Sequence, residues 1–282
     1  MPNRSDTEQI VDAFYRDGFV HIPGILEPHE IEALKARTDE LLDDVALQAR
    51  VNPERHDPHY AQRHLSATGE QVPFILRNTI ELDPLFVDML TREPILSLAE
   101  AIVGKGCRFC GQNVLRNNSG VAIEQWHVDG ALQFPLPDDI PRHDARARPP
   151  VLWLTIQMAL SDIDTIEQGP TQYVPGSHFS GRHPNEQNRP EFAGQGPVSV
   201  FCKAGDIYLQ DPQCWHRGAP NTSTRTRYLL QSQYAADWAY CRFGWMNRVP
   251  VAETHLQSAD DRLLHVLGRM RPGAPESEDQ AR

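Results

Sequence analysis

Gln125-Trp126-His127-Val128-Asp129-Gly130 sets an imidazole and a carboxylate two residues apart. On an extended strand, residues i and i+2 point to the same face. The two side chains therefore converge, their backbones about 7 Å apart. That suits two ligands of one metal ion, although His-X-Asp alone also arises by chance. A third candidate ligand, His216, stands 89 residues downstream of His127, in Pro212-Gln213-Cys214-Trp215-His216-Arg217-Gly218-Ala219-Pro220-Asn221. Two histidines and one carboxylate are the facial set of non-haem Fe(II) sites, which leave coordination positions open. Eleven residues beyond His216, Arg227 opens the extended run Arg227-Tyr-Leu-Leu-Gln-Ser-Gln-Tyr234. A guanidinium enclosed between strands is costly unless an anion pairs with it, and a dicarboxylate fits the fork that arginine offers.

Outward from these residues, the chain from 107 onward reads as short β-rich runs separated by Gly, Pro and Asn. The candidates are 107–116, 121–127, 151–161, 171–175, 197–202, 206–210, 214–218 and 225–235. Eight such strands predict a β-sandwich or barrel rather than a parallel sheet with helices between. Val151–Leu160 alternates a partly polar face with an apolar one, as in a sheet that lines a site on one side. The first part of the chain has helical spacing at 6–17, from Pro28 onward, and at 83–103, where Pro94 is expected to divide the run. A short strand is expected at Phe19–Ile22, and a last helix at 258–270. Residues 51–72 look polar and irregular. Their His56, His59 and His64 read as loop histidines, and His178 as part of a structural corner. The segments 135–150, with Arg142, Arg146 and Arg148, and 177–196 look like loops laid over the sheet. With no internal repeat or linker, one domain over 1–270 is expected: a mostly helical flank (1–105), a β core (106–236), an aromatic segment and helix (237–270), and a disordered tail (271–282).

Composition narrows the classes further. Lys and Arg number 27 against 38 Asp and Glu, a net charge of −11, which disfavours binding driven by nucleic-acid phosphates or an anionic membrane surface. No run is long enough for a membrane span, and the N-terminus lacks the apolar stretch of a secretory signal. Five cysteines, an odd and sparse set, read as reduced thiols in a cytoplasmic protein. The single Cys107-Arg-Phe-Cys110 reads as strand residues rather than a metal or redox site.

The sequence resembles the phytanoyl-CoA dioxygenase family of Fe(II)/2-oxoglutarate-dependent oxygenases over roughly residues 8–235. The resemblance rests on Phe14-Tyr-Arg-Asp-Gly-Phe-Val-His-Ile-Pro-Gly-Ile-Leu26 and Trp126-His-Val-Asp-Gly130. It continues through Asp164-Thr-Ile-Glu-Gln-Gly-Pro170, Val174-Pro-Gly-Ser-His178 and Gly205-Asp206, and ends on His216, Asn221 and Arg227. It implies a mainly β fold with flanking helices, a double-stranded β-helix (a jelly-roll, cupin-like barrel). It further implies that His127, Asp129 and His216 bind Fe(II) and that Arg227 pairs with the distal carboxylate of 2-oxoglutarate. Thr165, Gln125 and Arg77 resemble further cosubstrate contacts. Where some relatives carry a serine two residues after the distal histidine, this chain has Gly218, so that contact must come from elsewhere. A carboxylate at position 129, instead of the small residue of related halogenases, implies hydroxylation, desaturation or another oxidative rearrangement with dioxygen.

The substrate is expected to be a small organic molecule of specialised metabolism. Trp126, Phe134, Trp215 and Trp238 are candidate contacts to it, along with Tyr173, Phe243 and Trp245. The aromatic stretch 237–246 suits a partly apolar ligand or a self-association surface, such as a homodimer contact. Two other readings of the same residues are a cupin-like isomerase or hydrolase that uses a divalent metal without dioxygen, and a non-catalytic binding module.

Overall fold

Along Trp153–Ala159 every residue is buried, but the two faces differ in kind: Leu154, Ile156 and Met158 on one, Thr155 and Gln157 on the other. That division organises the molecule. The computed structural model describes residues 4–44, 47, 61–65, 71–186, 188–244, 246, 247, 249 and 251–269, with the backbone alone for 61–65 and 71–74. Helix α1 (Arg4–Asp17) leads into β1 (Phe19–Ile22) and α2 (Pro28–Asp43). Strands β2 (Ala61–Leu65) and β3 (Gln71–Arg77) precede α3 (Pro84–Asp88) and α4 (Ile95–Val103). Then come β4 (Arg108–Asn117), β5 (Ile123–His127), β6 (Trp153–Ala159), β7 (Thr171–Tyr173) and β8 (Val198–Ser199). They are followed by β9 (Ile207–Gln210), β10 (His216–Gly218) and β11 (Arg227–Ala235). Helices α5 (Asp237–Arg242), α6 (Glu253–Ser258) and α7 (Asp261–Val266) close the described chain.

The strands form two antiparallel sheets. The larger has the order β1-β9-β6-β11-β4-β3-β2 and the smaller β5-β10-β7-β8. The fold is thus mainly β with flanking helices and two facing sheets, as a jelly roll requires. Among the described residues no ladder closes the two sheets into one barrel. Each expected strand is present, most of them shorter than the run that signalled it.

Two expectations need correction. Residues 51–72 are not wholly irregular: β2 pairs with β3, and β3 continues the large sheet beside β4, with Ile75 opposite Leu115 and Arg77 opposite Asn113. Polar sequence is carried into a strand here by pairing at the sheet edge, which outweighs local propensity. The last helix is not continuous over 258–270. It breaks at Ala259, and α7 restarts on Asp260, whose side chain accepts a hydrogen bond from Leu263 N at 2.8 Å. His56 and His59, Trp245 and the tail 271–282 lie outside the described residues, as does the side chain of His64.

Helices α1, α2 and α4 back the large sheet. Their Phe14, Leu34, Ile95 and Leu98 pack in one cluster with Leu154, Ile156 and Met158 of β6, and with Leu209 and Leu230 of the neighbouring strands. Each such side chain, removed from water, contributes about 1.5–3 kcal/mol. Pro94 separates α3 from α4 as expected. Glu30, in the first turn of α2, accepts from Glu27 N at 2.8 Å and pairs with the Arg92 guanidinium at 2.7 Å, which ties the α2 start to the α3–α4 junction. With the apolar face of the large sheet committed to helices, its polar face is left to look inward at the small sheet.

Two loops hold the inner space in shape. Arg182 donates to the carbonyls of Pro137 (2.6 Å), Ile140 (2.7 Å), Pro141 (3.1 Å) and Ser180 (3.1 Å), so one guanidinium straps the 135–150 loop to the 177–196 loop. At the other end Gly169 has φ +71°, and a Cβ there would come within 2.8 Å of Ala219 O and 3.0 Å of Asn221 N, both backbone atoms. Only glycine combines that conformation with that close approach. Arg148 is paired with Asp12, and Arg146 with Asp144.

All five thiols are free. Cys107, Cys110, Cys202 and Cys214 are buried, and Cys241 is exposed. Burial pushes the thiols of Cys107 and Cys202 up to about 12, far from the thiolate range at neutral pH. Native protein treated with iodoacetamide at neutral pH should therefore be alkylated at Cys241 alone, as read by peptide mass spectrometry, with the other four labelled only after denaturation. Gly169→Ala should lower the free energy of unfolding by about 1–3 kcal/mol, as measured by urea titration.

Candidate metal and active site

The pairing of β10 with β5 sets His216 directly opposite His127. Their rings stand 4.2 Å apart, centroid to centroid. Asp129, just past the end of β5, is anchored by its own N–H to Pro212 O at 2.7 Å. Its Oδ1 lies 3.6 Å from His127 Nε2 and 3.5 Å from His216 Nε2. One ligand atom from each residue falls within 4.8 Å of the other two. Bonds of about 2.1 Å to a common ion place adjacent ligands about 3.0 Å apart at right angles, and opposed ones about 4.2 Å. Asp129 Oδ1 stands from each histidine Nε2 at a distance between those two values, which suits ligands gathered round one ion with positions left open.

The tautomers agree with metal binding. His127 Nδ1–H donates to Gln125 O at 2.8 Å and His216 Nδ1–H to Cys214 O at 2.8 Å. Each leaves the Nε2 lone pair facing the centre, the usual outer support of a ligating histidine. Burial works to raise the Asp129 carboxyl. The charge of His216 and the hydrogen bonds from His127 and His216 together outweigh that and hold it well below the ordinary carboxylate range. Burial likewise presses His127 down, but its hydrogen bond and attraction to Asp129 leave its pKa raised. A divalent cation takes the place of those protons and meets the same carboxylate charge. The donor set, two nitrogens and one oxygen, fits iron.

The ligands face a cavity of about 250 Å³ between the sheets. Arg227 lines it from the start of β11 and is 5% exposed. It donates to Gly169 O at 2.7 Å and to Thr171 Oγ1 at 3.1 Å, both neutral acceptors. Its Nε is buried and finds no acceptor. No carboxylate among the described residues lies within ion-pair distance of it. A buried cation with neutral partners and a spare donor calls for an anion, which a dicarboxylate supplies. Gly218 borders the guanidinium, and a Cβ there would sit 3.7 Å from Arg227 Nη1. Thr171 lies opposite Gly218 on β7 and sets its hydroxyl beside the same guanidinium.

The other expected site residues divide. Arg77 lines the cavity on β3; desolvation lowers its pKa, opposed by the charge of Asp129. Gln125 is exposed, and its backbone carbonyl rather than its amide serves the site, by orienting His127. Thr165 is also exposed, in the turn before Gly169, where its N–H donates to Gln168 Oε1. Trp126 and Trp215 are buried on the far side of the small sheet with Val128 and Val174. There Trp126 lies under Arg217 at 5.2 Å, and Trp215 Nε1 donates to Arg182 O. Phe134 borders a separate cleft beside His143 and Arg182, and Trp238 is 53% exposed on α5. None of these four aromatics is among the residues lining the metal cavity. His178, kept out of the ligand set, is half-buried, with its Nε2 3.2 Å from Tyr15 O.

Sequence reasoning missed the amides. Gln157, Gln210 and Gln231 line the cavity, with Thr171. Gln231 was legible in principle: Arg227, Leu229, Gln231 and Gln233 are the period-two positions of β11. Gln210, at the end of a short apolar strand, carries no such signal.

A model of the family described as phytanoyl-CoA dioxygenase matches residues 14–229. The chain is 24% identical over 229 residues to the multifunctional dioxygenase prhA of Penicillium brasilianum, covering 80% of this chain and 71% of that one. Among solved structures, it is similar to the epimerase SnoN in complex with Fe3+, alpha ketoglutarate and nogalamycin RO, at 21% identity and TM-score 0.62, over 99% of this chain and 98% of that one. It is also similar to HygX of Streptomyces hygroscopicus with nickel and 2-oxoglutarate bound, at 18% identity and TM-score 0.56, over 82% and 87%. With the match spanning both histidines, the carboxylate and the arginine in one frame, the chain belongs to the phytanoyl-CoA dioxygenase family and is a dioxygenase-type enzyme.

Proposed function

We propose that this chain is a non-haem Fe(II)- and 2-oxoglutarate-dependent oxygenase that oxidises an unactivated C–H bond of a small organic molecule. In its simplest outcome 2-oxoglutarate, dioxygen and R–H give succinate, carbon dioxide and R–OH. The observation that carries this is the three-ligand cluster of His127, Asp129 and His216 in one cavity with a buried guanidinium that no described residue meets with a carboxylate. Iron, when bound, supplies activation of dioxygen. The chain's residues position the reactants. Arg227 and Thr171 hold the distal carboxylate, and Arg77 stands by Asp129 to help with the charge nearer the metal.

Several features favour this reading over a metal-dependent isomerase or hydrolase without dioxygen. An arginine-and-hydroxyl cradle so near the ligands has no duty in the latter. SnoN, an epimerase, and HygX were each solved with iron or nickel and the keto acid bound. The cavity lining is rich in amides and guanidinium groups, so the substrate is a molecule carrying hydrogen-bonding oxygens, in place of the partly apolar ligand that the aromatic stretch 237–246 suits. Specialised metabolism is the setting we favour for it. Four buried free thiols suit a reducing compartment such as the cytoplasm.

Anaerobic addition of Fe(II) and 2-oxoglutarate together should produce a visible metal-to-ligand absorption band. His127→Ala, Asp129→Ala and His216→Ala should each abolish it, and a wild type without the band refutes the reading. Arg227→Ala should weaken 2-oxoglutarate binding by at least about thirty-fold, since breaking a buried charge pair costs about 2–5 kcal/mol. Arg227→Lys should restore little of it, because a point charge replaces a planar fork. Oxygen uptake by wild type should be matched by succinate release.

A further inference from the structure

Gln210, the last residue of β9, is 1% exposed and stands between the metal ligands and the inner face of the large sheet. Its Nε2 donates to Asp129 Oδ2 at 3.1 Å and lies 3.0 Å from His216 Nε2. Its Oε1 accepts from the Tyr173 hydroxyl at 2.6 Å and from Gln157 Nε2 at 2.8 Å. Gln157 Oε1 in turn accepts from Gln231 Nε2 at 2.8 Å. The direction of this chain is set at one end. An ionised carboxylate can only accept, so the NH2 of Gln210 must face Asp129. Its carbonyl oxygen must then face Tyr173 and Gln157, and both must donate to it.

We propose that Gln210 is a positioning residue that holds Asp129 as a one-oxygen ligand, with Oδ2 engaged by its amide and only Oδ1 offered to the metal, and that Gln157 and Tyr173 lock that amide in place. This rests on the reading of the site as an iron and 2-oxoglutarate centre. Oδ1 is the oxygen within 3.6 Å of both histidine Nε2 atoms, while Oδ2 is the one bound to Gln210. The consequence is stoichiometric. Three single-atom ligands leave three positions of an octahedron, two for a chelating keto acid and one for dioxygen. An Asp129 bound through both oxygens would leave two, and the keto acid and dioxygen would compete for them. Once the metal takes the His216 Nε2 lone pair, Asp129 Oδ2 remains the partner of the Gln210 NH2.

The test is Gln210→Met, which keeps length and removes the amide. Calorimetry with Co(II) should show binding about 10–100-fold weaker than wild type, the usual cost of an outer partner of a ligand. The 2-oxoglutarate concentration giving half the Fe(II) absorption band should rise at least several-fold. A crystal structure of the Ni(II)-loaded variant should show both Asp129 oxygens on the metal. Gln157→Met touches no ligand and should move Co(II) affinity the same way by a smaller factor, about 2–10-fold; it carries the test if Gln210→Met does not fold. Affinity within two-fold of wild type, or weaker binding with Asp129 still attached through Oδ1 alone, overturns the proposal. If wild type itself takes up neither Co(II) nor, with Fe(II), 2-oxoglutarate, the reading of the site fails instead.

Discussion

Everything at the centre of this molecule depends on one cross-strand register: His216 of β10 lying opposite His127 of β5. A slip of one residue would turn either imidazole to the other face of the small sheet, because side chains alternate along a strand. The register is over-determined. Asp129 N is bound to Pro212 O, Val174 N to Trp215 O, and Trp215 N to Ser177 Oγ. Trp126 and Trp215, each flanking a ligand histidine, sink into one apolar cluster on the far side. The same two strands thus face the cavity with ligands and the opposite side with tryptophans, and the burial of the tryptophans keeps the ligands pointed inward.

The large sheet solves a complementary problem. A cavity with polar walls inside a protein is expensive unless its amides and hydroxyls are paired. Here Gln231, Gln157 and Gln210 satisfy one another in sequence and end on the carboxylate, while Arg227 is held by Gly169 O and Thr171. The apolar side chains of the same strands face the helices, which supply the hydrophobic stabilisation that the polar side forgoes. Backing helices and polar interior are therefore two faces of one requirement.

Much of this was readable from residues alone. His-X-Asp on a strand, a distal histidine and an arginine on the following strand name a metal, a keto diacid and a class of chemistry, because few other arrangements need all four. The core strands were readable as short β-rich runs between Gly, Pro and Asn, and α4 from its apolar spacing after Pro94. By contrast, β2 escaped notice, since Ala-Gln-Arg-His-Leu has no strand signature of its own and is extended at the sheet edge by pairing with β3. The break at Ala259 escaped for a related reason: Leu263, Leu264 and Leu267 keep helical spacing on either reading, and the Asp260 cap decides where the helix starts.

What the sequence by itself determined is the inventory of chemistry, since residue type and alternation are local properties. Only the tertiary structure decided which side chains share a space. It sent Trp126, Trp215, Phe134 and Trp238 away from the cavity, set the Thr171 hydroxyl beside Arg227, and brought Gln210 to Asp129 from 81 residues away. Those pairings depend on which strands become neighbours and in what register. That choice is made by packing across the whole chain, and no short stretch of it carries the information.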